Sequence, residues 1–126
     1  MLGEFRSDQP IYTQLVEQMT IEILSGSFAP GSKLPSVREL AAQTGVNPNT
    51  MQRALSELEQ TGLVYTQRTS GRFITEDETV IDNARKALAR QRIEEFLNSM
   101  RILGYNLDAV LPLLKEEDEQ NGAAHL

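Results

Sequence analysis

A chain of 126 residues, 40% of them hydrophobic, makes one ordinary domain or a small domain with an appendage, and neither half could bury a large core alone. It contains no cysteine and its single histidine is His125, so disulfides, a cysteine nucleophile and thiolate or imidazole metal sites drop out, and no metal ion or cofactor is expected. The net charge of −6 argues at first sight against nucleic acid, yet the acidity is uneven: residues 1–75 carry −1, residues 76–126 carry −5, and residues 33–75 alone carry +2; a local basic face counts for more than the total.

The opening MLGEFRSDQP lacks the basic-then-apolar pattern of a signal, and no apolar run approaches membrane-spanning length. A soluble cytoplasmic protein with no membrane partner is expected. Residues 1–9 read as a loose lead-in. From Pro10, the residues Ile11, Leu15, Met19 and Ile23 recur every four positions with Tyr12, Val16 and Leu24 beside them, an amphipathic helix that ends at Gly26. Pro30-Gly31 signals a turn, and Lys33-Leu34 a short strand.

Pro35 to Gly62 reads as two short helices around a tight turn. Ser36 is an N-cap with Glu39 three residues on, the capping-box spacing. Val37, Leu40 and Ala41 share one face, and Gly45 suits a left-handed C-terminal position. Asn47 then caps a second helix with Pro48 at its first position. Met51, Ala54, Leu55 and Leu58 make its buried stripe, which leaves Asn49, Thr50, Gln52 and Arg53 facing outward. Asn and Gln side chains suit adenine edges and Arg suits guanine, so this solvent face reads as a DNA-recognition element. The pattern alone also fits an ordinary helical hairpin with a solvated polar face.

Leu63–Gln67 and Arg72–Thr75 are rich in strand formers, and Arg68-Thr69-Ser70-Gly71 lies between them, a β-hairpin with arginines on both sides of its tip. It reads as a wing whose tip reaches phosphates or the minor groove, or else as a solvated hairpin that only covers the core. Residues 76–79 form an acidic joint. Ile81, Ala84, Leu88, Ile93, Phe96, Leu97, Met100 and Leu103 make a long stripe that shifts near Gln91-Arg92 and stops at Gly104. Asn106 or Asp108 caps a last helix with Leu107, Val110, Leu111 and Leu114 on its apolar face. Pro112 fits its first turn if Asp108 is the cap and otherwise implies a bend. From Lys115 the acidic tail is expected to fray. Two such helices cannot enclose their apolar stripe alone. Either the chain's own N-terminal part covers it or, in preference, a second copy does, since two-fold dimers are the commonest assembly.

PIYTQLVEQM, then LSGSFAPGSKLPSVRELAAQTGVNPNTMQRALSELEQTGLVYTQR, then GRFI, in that order and spacing, resemble the winged helix–turn–helix of the GntR transcription regulators over about residues 10–75. The NPNT-x-x-A version and the short C-terminal part are similar to the YtrA-like subfamily. The fold class that follows is mainly α with a small β-hairpin: a winged helix–turn–helix over 1–75 and a short two-helix dimerisation region with an acidic tail over 76–126. The resemblance implies DNA contacts at Ser36, Arg38, Asn47, Asn49, Thr50, Gln52, Arg53, Arg68, Gly71 and Arg72, with Arg38 on a phosphate and Gly71 at the wing tip. The apolar stripe, with the resemblance in support, implies a dimer interface through Leu88, Ile93, Phe96, Leu97, Met100, Leu103, Val110, Leu111 and Leu114. The family usually carries R-G-x-G at the wing. Thr69 replaces the first of those glycines and is expected to resist a glycine-only backbone conformation, with Arg72 adding a charge in partial compensation.

The function expected is a homodimeric, sequence-specific transcription regulator, a repressor in most of this family, bound to an inverted-repeat operator on double-stranded DNA. Likeness to YtrA-type regulators implies control of a neighbouring transporter operon. The sequence names no small-molecule effector, and about fifty residues after the wing leave little room for a pocket. The alternative is a winged-helix module for protein contact without specific DNA binding, favoured by the net acidity. An enzyme is not expected: the carboxylates at Glu116, Glu117, Asp118 and Glu119 lie in a solvated run, and no nucleophile–base pair or phosphate-cradling loop accompanies them.

Overall fold

The computed structural model describes residues 2–125, with the side chains of residues 2–122. The chain forms two compact units, Met1–Lys86 and Ala87–Leu126. The first holds three helices, α1 (Ile11–Leu24), α2 (Val37–Thr44) and α3 (Pro48–Gln60), and an antiparallel hairpin of β1 (Val64–Gln67) and β2 (Gly71–Ile74). α4 (Glu78–Ile102) and α5 (Leu107–His125) follow. The hairpin register pairs Val64 with Ile74 and Gln67 with Gly71. No helix among the described residues is long and apolar enough to cross a membrane.

The helical periods of the sequence close onto one core. Leu15, Met19 and Ile23 of α1, Leu40 and Ala41 of α2, and Met51, Ala54, Leu55 and Leu58 of α3 are buried together with Leu34, Leu63, Val64 and Ile74. Burying a side chain of this size stabilises by about 1.5–3 kcal/mol, so the stripes hold the three helices against each other. The compact unit runs past residue 75, because Ile81 is buried in this same core while Val80 and Ala84 pack against it. The first turns of α4 thus complete the core of the first unit.

Three local readings change. The lead-in is pinned rather than loose. The buried amide of Gln14 accepts from the Arg6 N–H at 2.7 Å and donates to the Arg6 and Gln9 carbonyls at 2.8 and 2.9 Å. Gln18 takes the Gly3 N–H at 2.8 Å and donates to the Glu4 carbonyl at 2.6 Å. A buried amide must find partners, and the lead-in supplies them. Secondly, Lys33 forms only a single bridge, with Phe73. The backbone bonds Ile74 N–H to Ser32 O and Leu34 N–H to Arg72 O, both 2.9 Å, still fasten this segment along the outer side of β2.

The third change lies in the second unit. Asn106 caps α5, its side-chain oxygen accepting from the Ala109 N–H at 3.0 Å. Pro112 therefore sits inside the helix rather than in its first turn, where it gives up one i→i−4 bond. The tail expected to fray from Lys115 continues as helix to His125; Glu116, Glu117, Glu119 and Gln120 are straight-chain helix formers. Val110 is 1% exposed within the single chain. It was expected at an interface between copies, but a side chain so buried within the single chain leaves little surface for a second copy to cover. The rest of the stripe stays open: Ile93, Phe96, Leu103, Leu111 and Leu114 are exposed, and Leu88, Leu97 and Met100 are half-buried.

Candidate nucleic-acid interface

The helix pair around Gly45 and Asn47 is built by its caps. The Glu39 N–H donates to Ser36 Oγ at 3.1 Å, and the Ser36 hydroxyl reaches Glu39 Oε1 at 3.1 Å. Gly45 adopts φ +71 as the left-handed C-cap of α2, a conformation a side chain would strain. Two residues later Asn47 Oδ1 accepts from the Asn49 N–H at 2.8 Å, and Pro48 opens α3 without needing a donor. The turn is short, so α3 starts with its N-terminal peptide dipoles facing solvent, a local positive end.

Because Met51, Ala54, Leu55 and Leu58 are all 1% exposed or less, the opposite edge of α3 must point outward. Asn49, Gln52 and Arg53 are exposed there, and Thr50 is half-buried at the rim. Asn47 is exposed, but its side-chain oxygen is spent on the cap, which leaves only its amide N–H groups to donate. Arg38 is exposed in the first turn of α2, and Arg68 is exposed at the hairpin tip. Among the described residues Lys33, Arg38, Arg53 and Arg68 form no ion pair. The expected site residues from α2, α3 and the hairpin tip therefore leave one compact unit as unneutralised cations and amides.

Arg72 departs from expectation. Its Nε donates to Glu59 Oε1 at 2.6 Å, and Thr66 Oγ1 donates to the same oxygen at 2.7 Å. The Arg72 bond, then that of Thr66, hold the Glu59 carboxyl below its ordinary pKa, against the opposing effect of burial. The Arg72 charge is thus paired, so it braces the hairpin to the end of α3 and adds no free charge at the tip. Nor does Thr69 carry strain: the Ser70 N–H closes the turn on Gln67 O at 3.1 Å. Positive φ at the tip is confined to Gly71, at +103, and no described non-glycine residue has one.

Two residues at this surface were missed. Lys33 runs beneath the tip, its Cε 3.2 Å from where a Cβ on Gly71 would stand. With Ser36, Glu39, Arg68, Ser70 and Arg72 it lines an open cleft of about 670 Å³. Tyr12 of α1 lies under Arg53, the guanidinium carbon 3.6 Å from the ring centroid. The helical period of α1 sets Tyr12 beside an apolar stripe and gives no sign of Arg53, its partner 41 residues away.

Residues 11–74 match the family described as bacterial regulatory proteins, gntR family. Among curated relatives, the uncharacterized HTH-type transcriptional regulator YhcF of Bacillus subtilis is 42% identical, over 91% of this chain and 95% of its own. The HTH-type transcriptional repressor YtrA of the same organism is 36% identical, over 88% and 86%. A GntR family transcriptional regulator from Listeria monocytogenes superposes with a TM-score of 0.81 at 41% identity, covering 89% of this chain and 98% of that one. The DNA-binding domain of AraR in complex with operator ORX1 superposes at 0.53 and 30% identity, covering 57% and 93%. The protein-contact module and the enzyme both give way to these relationships. The chain belongs to the GntR family of bacterial regulatory proteins, beside regulators of the YtrA type, and is a DNA-binding transcriptional regulator with a winged helix–turn–helix.

Proposed function

We propose that the protein is a homodimeric repressor that reads an inverted-repeat operator through the exposed edge of α3 and holds phosphates through Arg38 and Arg68. The observation that carries the reading is the pairing of an exposed, unneutralised edge on α3 with an apolar stripe on α4 and α5 left uncovered in the single chain. Ile93 is 56% exposed and Leu103 68%, and a run of exposed apolar side chains among polar neighbours supports an interaction surface. A second copy would cover it and present two recognition helices to half-sites about one helical turn apart. Gln52, Arg53 and Asn49 would meet base edges, and Arg38 and Arg68 would meet phosphates. Repression is supported by the YtrA relative, whose name is that of a repressor; an adjacent transporter operon in the cytoplasmic genome is the first target to test.

Duplexes selected from a random pool, followed by gel shifts across salt, test this. The selected site should be an inverted repeat, and affinity should fall steeply as salt rises. Arg53→Ala should weaken the selected site by roughly 1–3 kcal/mol and relax base preference, whereas Arg38→Ala should weaken all sequences alike. If both variants bind like the parent, the assignment of residues is wrong.

A further inference from the structure

Arg53 is the α3 side chain with the most hydrogen-bond donors, and it does not project freely. Its guanidinium carbon stands 3.6 Å from the centroid of the Tyr12 ring. Tyr12 is half-buried, in the first turn of a helix whose Leu15 and Met19 are fully buried in the core shared with α3. The ring is therefore fixed by packing, while an arginine on an exposed helix edge would otherwise sample many rotamers. Stacking engages the face of the guanidinium, and its five N–H donors lie in the plane and remain available. No carboxylate competes for them among the described residues.

We infer that Tyr12 is a positioning residue for DNA reading: its ring holds the Arg53 guanidinium on the outer edge of α3 before the duplex arrives, with the in-plane donors directed to a guanine edge or a phosphate. The inference rests on the reading of Arg53 as a DNA contact. Preorganisation of this kind raises affinity by removing an ordering cost rather than by adding a contact. An aromatic ring one helix away thereby becomes part of the recognition surface without hydrogen-bonding the DNA.

The test is a double-mutant cycle on the full-length protein, with a duplex that the parent selects from a random pool. Tyr12→Leu should weaken binding about two- to fivefold in the parent background and have no effect in the Arg53→Ala background. Tyr12→Phe should bind as the parent does, since the ring and not the hydroxyl is what acts. If Arg53→Ala itself binds normally, the underlying reading of Arg53 fails. If Arg53→Ala is weak but Tyr12→Leu weakens both backgrounds equally, or neither, Tyr12 does not act through Arg53 and the inference falls. Tighter binding by Tyr12→Leu would mean that the ring withholds the arginine, which also overturns it. A second measurement stands even if Tyr12→Leu fails to fold. In the unaltered protein the Arg53 Hδ and Hε resonances should be shifted upfield by the ring and should stay so when duplex is added. Loss of that shift on binding refutes the proposed preorganisation.

Discussion

Glu59→Gln isolates the brace between the recognition helix and the wing. Gln keeps the size and an acceptor oxygen for Thr66 and Arg72, so the variant removes the charge and little else. Exposed ion pairs contribute about 0.2–1 kcal/mol, and hydrogen bonds to charged groups about 1.5–3 when well buried. Here the Arg72 and Glu59 side chains are 20% and 32% exposed and meet at 2.6 Å, which puts the expected loss near 1 kcal/mol, or about 4 °C in Tm for a unit of this size. The pH dependence gives the sign. Because the folded carboxyl titrates below its ordinary value, the brace stabilises fully above the unfolded pKa and fades as pH falls through the folded one. Urea unfolding of parent and variant at a series of pH values should therefore show a gap of about 1 kcal/mol at neutral pH that closes as pH falls below the ordinary glutamate range and through the lower folded value. A gap that persists unchanged at the acid end, or a variant as stable as the parent at pH 7, would refute the reasoning.

Gly71→Ala should cost about 1–2 kcal/mol in chemical unfolding, because the residue sits at φ +103 with Lys33 Cε 3.2 Å from the new methyl; Thr69→Gly, at a position with no left-handed requirement, should bring no gain in stability. Gln14→Ala should release the lead-in, seen as lost hydrogen-exchange protection at the Arg6 amide and a stability loss of about 1–3 kcal/mol, with the amides of α3 still protected. Phe96→Glu should leave the helical circular dichroism intact and weaken self-association by about 100-fold in sedimentation equilibrium, since each copy loses an aromatic anchor and gains a charge. A Phe96→Glu protein that associates like the parent would remove that residue from the interface.

Local chemistry carried most of the winged unit. Capping at Ser36 and Asn47, the left-handed glycine at position 45, Pro48 and the 3.6-residue stripes are short-range features, and each specifies a helix start, a stop or a buried face without knowledge of the rest. Once Met51, Ala54, Leu55 and Leu58 are committed to the core, Asn49, Gln52 and Arg53 have no other place than the surface. That is why the exposed polar edge of α3 was legible in the amino-acid order, and why the run of motifs from Pro10 to Ile74 pointed to the family.

What the order of residues left open depends on partners far apart in the chain. Glu59 meets Arg72 across 13 positions and Tyr12 meets Arg53 across 41, so only the packed structure turns one arginine into a brace and stacks the other. The same is true of Gln14, whose buried amide converts a featureless lead-in into an anchored one, and of Val110, whose burial is set by the way α5 packs. A helix period reports which residues share a face. It takes the tertiary arrangement to decide what that face, or a single charge on its edge, is pressed against.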